Sequence, residues 1–131
     1  MNTNDNLKEI EKIIISPEDE LVDILKEVEK TRAKRIILTF VESSDLLISP
    51  INLKVIQDSA DDLNKPLIAL IVQNPTGVRN AREAGMIVTE SSGSIIDTFW
   101  DQAERTMSDR IKEKHETLKR SHTSRPTIAE V

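Results

Sequence analysis

The side chains able to do acid–base or nucleophilic chemistry are few, and their spacing does not suit it. The chain has two histidines and no cysteine in 131 residues. This excludes a thiolate nucleophile, a disulfide and a thiolate metal site. His115 and His122 both lie in a charged C-terminal segment. A Ser-His-Asp arrangement needs a histidine near the core, so we expect both to be solvent-exposed bystanders.

Acidic residues occur in three close pairs. These are Glu18/Asp19, Glu42/Asp45 and Asp61/Asp62. The first pair opens a predicted helix, where acids complement the helix dipole, and the third lies opposite an apolar stripe and is predicted to be solvated. A phosphoacceptor receiver domain needs an aspartate at the end of its third strand, where this chain reads Val72-Gln73-Asn74. That class is therefore rejected.

Phosphate and metal motifs cannot be assembled from these residues. The three glycines form neither a dinucleotide-binding nor a P-loop pattern. No pair of histidines or cysteines has ligand spacing, so we expect no metal site and no cofactor. Residues 91–94 (SSGS) could offer backbone N–H groups to an anion, although an ordinary capped turn is favoured.

Four short apolar runs predict β-strands. They are Lys12–Ser16, Arg35–Val41, Leu67–Val72 and the weaker Met86–Thr89. The first three are nearly continuous in apolar character, which is typical of parallel strands buried on both faces. The sequence therefore predicts an α/β fold, a Rossmann-like open parallel sheet of about four strands with flanking helices. The predicted strand order is 3-2-1-4.

Helical patterns separate these runs. The predicted helices are Pro17–Lys30 capped by Ser16, a second opened by Pro50 and capped by Ser49, and Pro75–Ala84 capped by Asn74. Gly85 is placed as a left-handed stop. Ligands of open α/β sheets bind beyond the carboxyl ends of the strands. The candidate ligand-binding residues at that edge are Ser16, Asn74, Thr76, Ser91 and Ser92.

A long C-terminal helix completes the predicted organisation. We expect a flexible N-terminus at 1–11, the α/β domain at 12–92, an amphipathic helix at 93–120 and a disordered tail at 121–131. One side of the helix carries Ile96, Trp100, Met107, Ile111 and Leu118. Because the helix then becomes almost wholly charged, Trp100, Met107 and Ile111 are predicted to mediate self-association.

Composition limits the possible partners and compartment. The net charge is −5 and only 2% of residues are aromatic, so neither a basic nucleic-acid footprint nor a stacking platform is expected. No apolar run is long enough to span a membrane, and the N-terminus lacks the pattern of a secretory signal. We expect a cytoplasmic protein.

The stretch from Lys34 to Val88 carries a further pattern of apolar, small and polar positions. Its members are Leu46, Leu47, Ser49, Asn52, Leu53, Lys54, Ala60, Lys65, Arg79, Ala81, Ala84 and Gly85. In these residues the chain resembles an N-terminal α/β domain of predicted bacterial envelope proteins, some described as baseplate-J-like. The resemblance implies a cytoplasmic head that precedes a transmembrane helix, or a stand-alone version of it. Asn64 departs from the pattern, which has glycine before the lysine.

Two hypotheses of different classes follow. The leading one is a non-enzymatic interaction or scaffold module that binds a protein partner or self-associates through the C-terminal helix. The alternative is a small-molecule-binding or weakly catalytic Rossmann-like domain that uses the strand-end loops. A concave pocket with convergent polar groups at that edge would favour the alternative.

Overall fold

The computed structural model describes residues 9–95 and 97–129, with side chains through Leu118 except at position 94. In chain order the elements are β1 (Ile10–Ile15), α1 (Leu21–Lys30), β2 (Arg35–Phe40), α2 (Pro50–Asp62), β3 (Leu67–Ile71), α3 (Pro75–Glu83), β4 (Ile87–Thr89) and α4 (Asp97–Ala129). Two short 3-10 turns, Asp45–Leu47 and Ser92–Ser94, precede α2 and α4. The predicted α/β class, the parallel sheet and the long C-terminal helix are confirmed.

The four strands lie in the order β1-β2-β3-β4, and every neighbouring pair is parallel. The predicted order 3-2-1-4 is therefore wrong. In that order the last crossover would run back across the sheet and place α3 on the opposite face, because crossovers are right-handed. With the observed order every crossover moves one strand in the same direction, so α1, α2 and α3 share one face.

The two faces of the sheet are covered by different parts of the chain. Alternate side chains of the strands pack against α1, α2 and α3 in the larger core. Its largest fully buried members include Ile15, Ile24, Leu38, Phe40, Leu53 and Ile56. On the other face Ile37, Ile68 and Leu70 pack against Trp100 and Ala103 of α4. The C-terminal helix thus supplies the cover that no crossover helix provides.

This second cover stops short of β1. The side chain of Ile14 is 60% exposed and that of Ile10 is 38% exposed, whereas Ile13 and Ile15 on the opposite face are buried. The expectation that the first strand is buried on both faces is therefore wrong. A single helix, about 10–12 Å in diameter with its side chains, spans roughly two strand spacings of about 4.8 Å and leaves the edge strand uncovered.

The helix ends explain where several glycine and asparagine positions fall. Asn64 follows α2 with φ of 59° and Gly85 follows α3 with φ of 91°. At each of these two residues, its own N–H and that of the next residue donate to the last turn of the helix. Asn64 N donates to Asp61 O and Lys65 N to Ala60 O, both at 2.9 Å. This is a Schellman motif. Asparagine tolerates the left-handed region better than other non-glycine residues, so Asn64 can replace the glycine of the pattern.

Some predicted boundaries differ from the observed ones. Helix α1 begins at Leu21 because residues 16–19 form a turn in which Asp19 N donates to Ser16 O at 3.0 Å; Ser16 is not its N-cap. Strand β1 begins at Ile10, inside the segment predicted to be flexible, and residues 1–8 lie outside the described residues. The helical backbone of α4 is drawn to Ala129, within the segment expected to be a tail, and that expectation stays a prediction.

Within the described residues, no helix combines the length and apolarity needed to cross a membrane.

Candidate functional site

The strand order separates the predicted ligand-binding residues. Ser16 follows β1 and Ser91 follows β4, at the two outer strands of the sheet. Three strand spacings of about 4.8 Å place these strands roughly 14 Å apart. Open α/β sheets bind ligands where the strand order reverses, and the order β1-β2-β3-β4 has no such reversal. Asn74, Thr76, Ser91 and Ser92 lie on the β3–β4 half, apart from Ser16.

The polar groups at this edge mainly hold local structure. Asn74 Oδ1 accepts from Gly77 N–H at 2.9 Å and so caps α3, as predicted. Ser91 Oγ accepts from Gly93 N–H at 3.3 Å in the turn before α4. Asp19 Oδ2 accepts from Ser16 N–H at 2.8 Å. The side chains of Thr76 and Ser92 are exposed. The arrangement is that of turns and helix caps.

The predicted self-association residues are largely occupied inside the chain. Trp100 is 3% exposed and Met107 is 5% exposed, because this side of α4 packs on the sheet. Ile111 is partly exposed, Leu118 is exposed, and Ile96 lies outside the described residues. Trp100 and Met107 therefore belong to no exposed surface. Self-association of the helix stays a prediction that these contacts do not test.

A cleft of about 720 Å³ lies at the opposite, amino edge of the sheet. It forms where three connections converge: the start of β1, the α1–β2 loop and the α2–β3 loop, with α4 as one wall. Its apolar lining includes Leu63, Pro66 and Met107, and its basic lining consists of Arg32, Lys34, Arg35 and Lys65. Two acids, Glu9 and Glu104, also line it. The cleft is therefore cationic in a chain of net charge −5.

Two of the four cations are held by the protein itself. Lys65 Nζ donates to the carbonyl of Thr31, which ends α1, and a cation there complements the helix dipole. Arg35 pairs with Glu104 through Nη2 and Oε2 at 3.1 Å, and its guanidinium carbon lies 5.1 Å from the centroid of the Trp100 ring. Lys65 and Arg35 are therefore engaged within the chain and form fixed parts of the cleft wall.

The other two cations are available for a ligand. Arg32 and Lys34 are exposed, and neither forms a hydrogen bond or ion pair with the described part of the chain. Ala33 between them is buried at 2% exposure and anchors the loop on the core. Thr31 Oγ1 also accepts from Ala33 N–H at 3.1 Å, which orders the loop further. The charges of Arg32 and Lys34 are thus carried on an ordered backbone.

The two edges of the sheet carry opposite charge. The connections at the amino edge, residues 31–34, 63–66 and 84–86, contain three basic residues and no acidic one. The connections at the carboxyl edge, 16–20, 41–49, 72–74 and 90–95, contain no basic residue. Their acidic residues are Glu18, Asp19, Glu20, Glu42, Asp45 and Glu90. Parallel strands gather like connections at one edge of the sheet, so charges that are scattered along the sequence form a basic edge and an acidic edge.

A second cleft, of about 520 Å³, runs along α3. Its charged lining balances, with Arg79 and Arg82 beside Glu83 and Glu90. It therefore has no preference for an ion of either sign, and its two exposed arginines serve as a comparison for Arg32 and Lys34.

One acidic pair differs from its prediction. Asp61 is buried at 3% exposure, and its carboxylate accepts from Arg110 Nε at 2.7 Å, Arg110 Nη2 at 3.1 Å and Gln57 Nε2 at 3.0 Å. The expectation that Asp61 is solvated is wrong, since α4 lies across that side of α2. Its neighbour Asp62 is exposed as expected and pairs with Lys114 at 3.3 Å. Sequence reasoning had no signal for a pair 49 residues apart.

The remaining chemistry-bearing residues do not cluster. In the described part of the chain, no three His, Cys, Asp or Glu side chains are placed to hold a metal ion. His115 is exposed on α4, and the side chain of His122 lies outside the described residues.

Comparison with known proteins gives no relative from which a role can be transferred. The sequence matches no protein family model, and neither the curated proteins nor the solved structures contain a match to it.

Proposed function

We propose that this chain is a non-enzymatic interaction module that binds an acidic segment of a partner protein in the cleft at the amino edge of its sheet. The observation that carries the proposal is a pair of exposed cations, Arg32 and Lys34, which have no ion-pair partner among the described residues and lie on an ordered loop beside apolar lining. Carboxylates pair well with arginine and lysine when the cations are held in place beforehand.

The lining favours a peptide over other anions. Leu63 is 40% exposed and offers an apolar contact beside the cations, while Pro66 and Met107 are buried and form the apolar base of the cleft. A peptide can use both kinds of contact, whereas inorganic phosphate uses only the charges. The cleft lining includes no aromatic side chain on which a nucleobase could stack. The net charge of −5 also disfavours a long polyanion.

Tryptophan fluorescence offers a direct test. Trp100 is the only tryptophan, and Arg35, which lines the cleft, lies over its ring. An acidic peptide that forms an ion pair with Arg35 should change the fluorescence emission of Trp100. We expect an octaglutamate peptide to give a saturable change that weakens with salt, and an octalysine peptide to give none.

Matched variants locate the binding. The double variant Arg32→Ala, Lys34→Ala should weaken octaglutamate binding by about tenfold or more, equivalent to ~1.4 kcal/mol. The control Arg79→Ala, Arg82→Ala removes the same charge from the α3 cleft and should leave the affinity within about twofold, since rim charges far from a site act weakly. Equal losses in both variants, or tighter binding of an oligonucleotide than of the peptide, would refute the proposal.

The other expectations drawn from the sequence stay predictions. The cytoplasmic head implied by the resemblance has no comparison that bears on it, and the small-molecule alternative has no strand reversal at the carboxyl edge to form its crevice.

A further inference from the structure

The acidic and basic edges lie at opposite ends of the same strands. The basic connections 31–34 and 63–66 precede β2 and β3, while the acidic connections 16–20 and 41–49 follow β1 and β2. A six-residue strand spans about 20 Å, so the two surfaces cannot meet within one chain. A second copy shifted along the strand direction would bring the acids of one molecule over the cations of the other.

Helix dipoles explain only part of this charge pattern. Acids in the first turn and cations in the last turn of a helix are favoured by the dipole, but the effect is lost within one turn. Glu42 lies eight residues before α2 begins, and Lys34 lies four residues after α1 ends. Both are exposed, and neither forms an ion pair with the described part of the chain. These charges are available to a partner.

We propose that the acidic partner of the cleft is the carboxyl edge of a second copy of this chain, which gives a head-to-tail, salt-sensitive assembly. This inference rests on the proposed function, because it uses the same cleft. Each copy contributes one acidic and one basic edge, so the contact is heterologous and does not close with two copies. The exposed Glu18 and Glu42 are the groups that approach Arg32 and Lys34.

Charge-swap variants test the assembly by sedimentation at about 20 mM and about 500 mM salt, which differ strongly in screening. The wild type should show a mass that rises with concentration above the 14.8 kDa monomer at low salt and returns to it at high salt. Two double variants, Arg32→Glu with Lys34→Glu and Glu18→Lys with Glu42→Lys, should each be monomeric alone. Their equimolar mixture should associate again, as should the chain that carries all four substitutions.

The outcomes separate this inference from the cleft itself. A wild type that stays monomeric at low salt, or a mixture that does not associate, refutes the head-to-tail contact. Octaglutamate titration of the same wild-type sample then shows whether the cleft still binds an acidic segment. A mass that rises with salt also refutes the inference, because it indicates apolar association through exposed side chains such as Ile48 and Ile51.

Discussion

Arg110 forms a two-point ion pair with Asp61, with Nε 2.7 Å from Oδ2 and Nη2 3.1 Å from Oδ1. Its Nη1 also donates to the carbonyl of Gly85 at 3.0 Å. One side chain of α4 therefore joins α2 to the turn before β4, and fixes α4 across the sheet at the amino edge. Met107, one turn earlier on α4, lines the cationic cleft, so this pair also helps to position that wall.

Removal of either partner of this pair should be strongly destabilising. Asp61→Ala leaves the Arg110 charge partly buried without a counter-ion, and we expect a loss of about 3 kcal/mol in the free energy of unfolding. Asp62→Ala is the matched control, because its pair with Lys114 is exposed and is worth about 0.2–1 kcal/mol. Chemical denaturation measures both. Similar losses for the two variants would show that the buried pair does not hold α4.

The two faces of β1 should respond differently to truncation. Ile13 is buried under the crossover helices, so Ile13→Ala should cost about 2–5 kcal/mol through lost burial and a cavity. Ile14 is 60% exposed, so Ile14→Ala should stay within about 1 kcal/mol. Urea midpoints of the two variants give the comparison. A large loss at Ile14 would contradict the uncovered edge of the second face.

The left-handed backbone at Asn64 predicts that valine and glycine at this position have opposite effects on stability. Asn64→Val places a β-branched side chain at φ of 59° and should cost about 1–2 kcal/mol. Asn64→Gly, which has no such penalty, should be neutral or slightly stabilising. Thermal denaturation of both variants decides, and an unchanged melting temperature for the valine variant would contradict the assigned Schellman end.

Asn80 ties α3 to the turn before α2. Its Nδ2 donates to the carbonyls of Leu47 and Ile48 at 2.8 and 3.0 Å. Asn80→Leu leaves the buried carbonyl of Leu47 unpaired and should cost about 1–3 kcal/mol. The adjacent Arg79 is exposed, so Arg79→Ala should change stability by less than about 0.5 kcal/mol. Equal losses of stability in the two variants would show that the Asn80 hydrogen bonds do not stabilise the packing of α3 on this turn.

Local elements were largely predictable from the sequence. Apolar runs placed the strands, Pro75 and Asn74 placed the start of α3, and Gly85 placed its end, because each is a short-range preference of the backbone. The strand order was not predictable, because the residues of an apolar run do not indicate which other strand it pairs with. The apolar first half of α4, around Trp100, was one useful signal for the strand order. If crossover helices covered both faces of the sheet, the C-terminal helix would not need an apolar side to cover one of them.

The site was much less predictable than the fold. Arg32 and Lys34 lie in a short polar loop that looks like any solvated connection. They become part of a cleft only because the strand order gathers the ends of α1 and α2 beside α4. The Asp61–Arg110 pair likewise depends on where α4 crosses α2. Both features arise from tertiary placement, which a one-dimensional pattern does not contain.

The most direct test of the central claim is a two-dimensional NMR titration of the isotope-labelled chain with octaglutamate. Binding in the cleft should shift the backbone amides of residues 32–35 and 63–65, and should also shift the indole N–H of Trp100 through Arg35. At a concentration where the chain is monomeric, amides of the carboxyl-edge connections 16–20 and 41–49 should not move. Shifts confined to those acidic connections, or no shifts at low salt, would contradict the proposal that the amino-edge cleft binds an acidic segment.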